Sequence, residues 1–184
     1  MRILFAALCL VGFAIPYAHA DFRIEENAKA QLLVNLHPDA RKARLYSANF
    51  QQDGLIPICS EVQFTDVDDN SIKFTVLATG TEYTYIHHRA GGQYFELHLE
   101  QIFGTKCNQA ALDNLSATDK TGVKLGKALP GMTKAGVVFA LGSPPVLYTP
   151  NQDNNEWIYY RNRFVKNYYY FDEQGLFTRA TGIH

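Results

Sequence analysis

An excess of charge of either sign is missing from this chain of 184 residues, in which 17 Lys and Arg stand against 18 Asp and Glu. A near-neutral balance without a basic cluster argues against nucleic acid or an anionic lipid surface as partner, since both require concentrated positive charge. Cysteine is scarce, at Cys9, Cys59 and Cys107, and no two stand in the CxxC spacing of redox pairs and zinc sites. No GxSxG nucleophile elbow occurs. Gly91-Gly92 reads as a hairpin turn, without the pattern of a phosphate loop around it. Long apolar runs are limited to one, Ile3 to Ile15, which is shorter than the about 20 residues that span a bilayer. What is abundant is apolar and aromatic: 47% hydrophobic and 13% aromatic residues exclude a disordered chain. The aromatics are mostly Tyr and Phe, which favour strands.

The start of the chain reads as an export signal. Arg2 precedes the apolar run, Pro16 breaks it, and Ala18-His19-Ala20 offers small residues where a signal peptidase reads. Residues 1–20 are therefore expected to be removed after Ala20, placing the protein in the periplasm or, alternatively, in the extracellular medium. Cys9 follows Leu8 and has Ala6 at its minus-three position, so neither a lipid anchor nor a further transmembrane segment is expected. Losing Arg2 leaves 16 basic against 18 acidic residues, a net charge of −2. In an oxidising compartment Cys59 and Cys107 are expected to pair. Closing a loop of about 49 residues is worth on the order of 4 kcal/mol by chain-entropy reasoning.

Along the remaining chain, apolar residues at Ile24, Ala28, Leu32 and Leu36 suggest a helix ended by Pro38. Arg41, Lys42 and Arg44 read as a solvated connection. Short strands are expected next: Leu55 to Ile58, Glu61 to Val67, Ile72 to Val76, and Tyr83 to Ile86. Turns at Asp68-Asp69-Asn70 and Thr79-Gly80-Thr81 separate them. These predict a small antiparallel barrel or sandwich, stapled by the disulfide. Asn108 to Leu115 suggests a short helix, and the polar stretch from Ser116 to Thr121 a domain boundary. Thr133 should cap a helix that ends at Gly142, ahead of strands at Glu156–Tyr160, Asn167–Phe171 and Leu176–Ala180. The fold class expected is α+β, with a helix plus β-rich domain over residues 21–115 and a helix plus three-stranded antiparallel sheet over 116–184.

The search for chemistry yields little. On a strand, Glu96, His98 and Glu100 would share a face that could join a neighbouring His in a mixed nitrogen and oxygen metal site. A polar outer sheet face accounts for them better, and the adjacent His87 and His88 would point to opposite faces. No catalytic residue, cofactor or metal is assigned. The segment from Trp157 to Phe164 combines aromatics with Arg161 and Arg163, the composition of protein interfaces. Tyr160, Arg161, Arg163 and Tyr169 are the partner-binding candidates.

The stretch Gly131-Met132-Thr133-Lys134, then Val137, then Leu141-Gly142-Ser143-Pro144, resembles the signature of the BamE (SmpA/OmlA) family. Trp157 in an aromatic strand, then Phe171 and Gly175 in the phrase Phe171-Asp172-Glu173-Gln174-Gly175, continue the resemblance. The preceding strands resemble SH3-like barrels of envelope proteins. These resemblances imply fold-specifying roles for the motif residues and a scaffolding function in outer-membrane or envelope assembly, through protein partners and without catalysis. An inhibitor of a periplasmic or host enzyme, or a peptidoglycan-binding module, are the alternatives.

Overall fold

A computed structural model of the protein describes residues 23–92 and 94–182; the expected signal segment, residues 1–20, lies outside them. The first described strand corrects the sequence reading. Strand β1 is Lys29–Leu32, in the middle of the segment expected to be helical. Residues spaced by four satisfy a strand period of two as well as a helix, and the intervening Ala30 and Val34 are buried beside Leu32 and Leu36. Alternation, not a helical stripe, is the pattern that the fold uses.

Five further strands join it: β2 (Arg44–Tyr46), β3 (Glu61–Asp68), β4 (Ser71–Val76), β5 (Thr81–Ile86) and β6 (Phe103–Gly104). Their order in the sheet is β2-β5-β4-β3-β1-β6. All neighbours are antiparallel except β2 and β5, which run parallel, so the sheet is not wholly antiparallel. Residues Leu55 to Ile58 form a single bridge between Leu36 and Ile56 in place of the expected strand. Four inter-strand steps separate β5 from β6, about 19 Å in a flat sheet. Yet the rings of Tyr85 and Phe103 lie 6.4 Å apart, so the sheet curls around its core. Phe103 also packs edge-on against Phe64 and Phe74, at 5.2 and 5.3 Å. The disulfide between Cys59 and Cys107 is formed, with a Cα separation of 5.2 Å. It ties the segment entering β3 to the segment leaving β6.

Between β5 and β6 the chain makes a 3-10 turn at Arg89–Gly91 and helix α1 at Phe95–Glu100, where a hairpin and a strand were expected. The apolar spacing Phe95, Leu99, Ile102 buries one helical face, while Glu96 and Glu100 are exposed. Helix α2 is Gln109–Asp113, with Asn108 Oδ1 accepting from Ala111 N at 3.0 Å. Residues 116–121, expected to be a turn-rich boundary, are the cap and first turns of helix α3, Ala117–Leu125. Ser116 and Asp119 form a capping box there.

Helix α4 (Lys134–Leu141) is capped by Thr133, whose hydroxyl accepts from Gly136 N at 3.0 Å. It leads to strands β7 (Glu156–Tyr160), β8 (Lys166–Phe171) and β9 (Phe177–Thr181), an antiparallel meander ordered β7-β8-β9. Their inner faces supply Trp157, Tyr159, Tyr169, Phe171 and Phe177 to a second core, under Met132 and Val137. The architecture is therefore α+β: a curled six-stranded sheet and a separate three-stranded antiparallel sheet.

The C-terminus of α4 joins the two. A helix leaves its last carbonyls without intrahelical partners, and they carry the negative end of its dipole. Side chains from residues 35–51 supply the missing donors. Asn35 Nδ2 donates to Ala140 O at 3.2 Å and also, at 2.7 Å, to Val123 O in the last turn of α3. His37 Nε2 donates to Ala140 O at 2.9 Å. Asn49 Nδ2 donates to Leu141 O and Ser143 O, at 2.9 and 2.8 Å, and Gln51 Nε2 donates to Leu141 O at 3.0 Å. Val138 and Phe139 touch both cores. No helix among the described residues is long and apolar enough to cross a membrane.

Candidate functional site

The chain that crosses between the sheets also builds a groove. After the caps at Asn49 and Gln51, Phe50 bridges in parallel to Tyr160 at the end of β7, and Gln51 N donates to Tyr160 O at 2.7 Å. Gln52 Nε2 donates to Arg161 O, and the Arg161 guanidinium lies 3.5 Å from Asp53. These contacts hold the β7–β8 loop against residues 50–53. The loop is itself ordered by Asn162, whose Oδ1 accepts from Phe164 N and Val165 N at 2.9 and 3.1 Å. An asparagine used this way mimics a backbone turn and fixes the loop.

A cavity of about 550 Å³ opens between this loop and residues 39–52. Its apolar surface is aromatic: Phe50 lies 5.4 Å from Tyr46 and 5.7 Å from His88. Its polar lining includes Asp39, Lys42, Arg44 and Arg163. Asp39 is largely occupied. Its carboxylate accepts from Arg41 N and Lys42 N, at 3.0 and 3.2 Å, and stands 3.7 Å from Lys42 Nζ. Among the described residues Arg44 and Arg163 have no carboxylate partner within ion-pair distance. Arg163 instead lies over the ring of Phe164, at 4.5 Å. That ring is 77% exposed, the most exposed large apolar side chain among the described residues.

His88 is placed by the buried Ser47, whose Oγ accepts from His88 N at 2.7 Å and donates to His88 O at 3.0 Å. Gly91 allows this approach, because a Cβ there would lie 2.6 Å from Ser47 Oγ. His88 Nδ1 accepts from Ala90 N at 3.2 Å, so the neutral ring carries its proton on Nε2. Burial, then the charges of Arg89 and His87, lower its pKa. At neutral pH His88 is an uncharged ring with one donor to offer.

Of the four partner-binding candidates, Arg163 lines this groove. Arg161 anchors the loop beside it. Tyr160 is buried, 4.7 Å from Tyr148 and 6.5 Å from Phe50, so it supports the groove from behind. Tyr169 is buried in the second core, 4.9 Å from Tyr159 and 5.5 Å from Phe177. It has no surface to present, because its parity on β8 points it under α4. Tyr46 and Phe50 escaped the sequence reading, which takes Lys42 and Arg44 as a solvated connection and sets His88 aside as a metal ligand. The signal was present in Arg44, Tyr46 and Phe50, a second stretch where arginine and aromatics alternate.

The motif residues are structural. Met132, Val137, Leu141, Pro144, Trp157 and Phe171 are buried, Thr133 caps α4, and Gly131, Gly142 and Gly175 take positive φ. The expected face of Glu96, His98 and Glu100 is not formed. His98 Nε2 bonds Tyr85 Oη at 2.8 Å on the inner side of α1. No group of three His, Cys, Asp or Glu among the described residues is placed to hold a metal ion. Compared with known proteins, the chain matches no family model, no curated sequence and no solved structure.

Proposed function

We propose that this protein is an exported binding or scaffolding protein that acts by protein contacts in the cell envelope, and that the groove between the sheets is its contact surface. The observation that carries this reading is the convergence of Arg44, Tyr46, Phe50 and Arg163, from segments over 110 residues apart in the chain, around a lined cavity. Arginine and aromatic side chains supply most binding energy at protein interfaces. The disulfide supports export, because such bonds persist in oxidising compartments. The order of α4 and the three-stranded meander agrees with the BamE-like resemblance, and with it a role in outer-membrane assembly or maintenance. The groove offers shape and charge for binding, and we assign the protein no catalytic role.

A protein inhibitor of an enzyme is the second reading, favoured by the exposed Phe164 on a loop braced by Asn162. A rigid loop with an apolar tip fits an enzyme cleft. In-cell crosslinking and pull-down of the tagged protein from the envelope fraction separates the two. Envelope-assembly proteins, lost on Phe50→Ala with Arg163→Ala, support the scaffold. One hydrolase in one-to-one ratio supports the inhibitor, and retention on purified cell wall alone sinks both in favour of peptidoglycan binding.

A further inference from the structure

We infer that the groove takes an acidic, extended segment of a protein, with its carboxylates on Arg44 and Arg163 and an apolar side chain on the Tyr46–Phe50 floor. This rests on the groove being the contact surface. Charge is the first argument. The lining holds three cations and one carboxylate in a chain of net charge −1, and the carboxylate is committed to Lys42 and to turn amides. Arg44 and Arg163 face the groove from opposite banks, one from the edge strand β2 and one from the β7–β8 loop. A guanidinium presents a planar fork of donors that matches a carboxylate.

The amides point to peptide. Gln52 spends its Nε2 on Arg161 O and keeps Oε1 as an acceptor. Asn162 spends its Oδ1 on the loop and keeps Nδ2 as a donor. One acceptor and one donor on the same groove complement the N–H and C=O of a backbone. The volume of about 550 Å³ suits a few side chains. A phosphate-rich polymer or an anionic membrane fits worse. Such surfaces are read by runs of about four to eight Lys and Arg, and the groove is lined by only Lys42, Arg44 and Arg163.

Fluorescence anisotropy on the exported protein tests this with three labelled probes of equal length. One alternates Glu and Tyr, one Gln and Tyr, and one is an oligonucleotide. The Glu/Tyr peptide is expected to bind about tenfold or more tighter than the Gln/Tyr peptide at low salt. Arg44→Gln and Arg163→Gln should each weaken it by about tenfold and together by about a hundredfold, with melting temperature unchanged. Phe50→Leu should weaken both peptides. Equal binding of the two peptides, indifference to the arginine substitutions, or no binding of the Glu/Tyr peptide at about 1 mM would overturn the inference. So would tighter, arginine-dependent binding of the oligonucleotide. Equal peptide binding that still depends on Phe50 defeats only the acidic preference. The groove reading itself falls if crosslinkers placed in the groove capture no protein.

Discussion

Removing the Asp119 carboxylate should cost this protein more stability than any exposed charge it carries. Asp119 is 1% exposed and lies between two helix starts. Its Oδ1 accepts from Thr133 N at 2.8 Å; its Oδ2 accepts from Ser116 Oγ at 2.8 Å, Thr133 Oγ1 at 3.2 Å and Ser116 N at 3.4 Å. One side chain thus closes the capping box of α3 and fixes the residue that caps α4. A negative charge there also faces the positive ends of both helix dipoles. Loss of a cap costs about 1 kcal/mol, and each hydrogen bond to a charged acceptor about 1.5–3 kcal/mol. The contributions overlap, so Asp119→Ala is predicted to cost about 3–4 kcal/mol. For a chain of this size that lowers the melting temperature by roughly 10 °C. Trp157 is the sole tryptophan and is 1% exposed, so its fluorescence during urea unfolding reports the three-stranded sheet against which α4 packs. Asp119→Asn keeps the shape but turns an N–H group toward donors, and should lose nearly as much. A loss under about 1 kcal/mol for Asp119→Ala, or a neutral Asp119→Asn, would refute the idea that this carboxylate organises both helices.

The same junction reverses a helix-propensity expectation: Gly136→Ala should gain about 1 kcal/mol in a free helix. Here a Cβ would collide with the Asp119 carboxylate and lie 2.5 Å from its Cγ, so a net loss of about 2 kcal/mol in urea unfolding is predicted, and a gain would contradict the close approach. Replacing Cys59 and Cys107 by Ser should lower stability by up to about 4 kcal/mol, and non-reducing peptide mapping of the native protein should find one linked pair and no alkylatable thiol. Burial and then the charge of His87 lower the pKa of His98 from 6.5 to about 4, and burial also lowers that of His37, against the raising effect of its bond to Ala140. Both rings take up protons more readily when unfolded, so the stability they hold is full above pH 6.5 and declines as pH falls below it, for His98 down to about 4. His98 alone accounts for about 3 kcal/mol of that loss; His98→Gln should flatten the pH profile of unfolding between those limits, and an unchanged profile would contradict the assignment.

Strands β3, β4 and β5, helix α4 and the closing meander were legible because each has one dominant period and plain stops, such as Asp69-Asn70 and Thr133. The misread segments carry two periods at once. Residues 24–36 satisfy both four and two, and burial of Ala30 and Val34 selects two. Residues 95–102 alternate Glu96, His98, Glu100, but Phe95, Leu99 and Ile102 select the helix. The polar stretch at 116–121 resembled a linker because a capping box is made of polar residues; Ser116 and Asp119, three apart, were its mark. The groove was legible only in part. Arg163 stood out beside Trp157 and Tyr159, but the bank opposite it comes from residues 39–52, whose tie to the β7–β8 loop runs through the Phe50–Tyr160 bridge. No local pattern announces a pairing across that distance. Tyr169 shows the converse limit: aromatic strands supply both surface and core, and only the helix above decides which.

The central claim is that the groove beside Arg163 is where this protein meets its partner. A photoreactive benzoylphenylalanine at Phe164 or Tyr46 tests it most directly, with the same residue at Glu173 as the control. Glu173 is exposed in the β8–β9 turn, at the far end of β8 from the loop that carries Phe164. Illumination of intact cells is predicted to give one set of envelope-protein adducts from positions 164 and 46, reduced by Arg44→Gln with Arg163→Gln, and none of that set from 173. Adducts from position 173 alone, or none from the groove, would contradict the account.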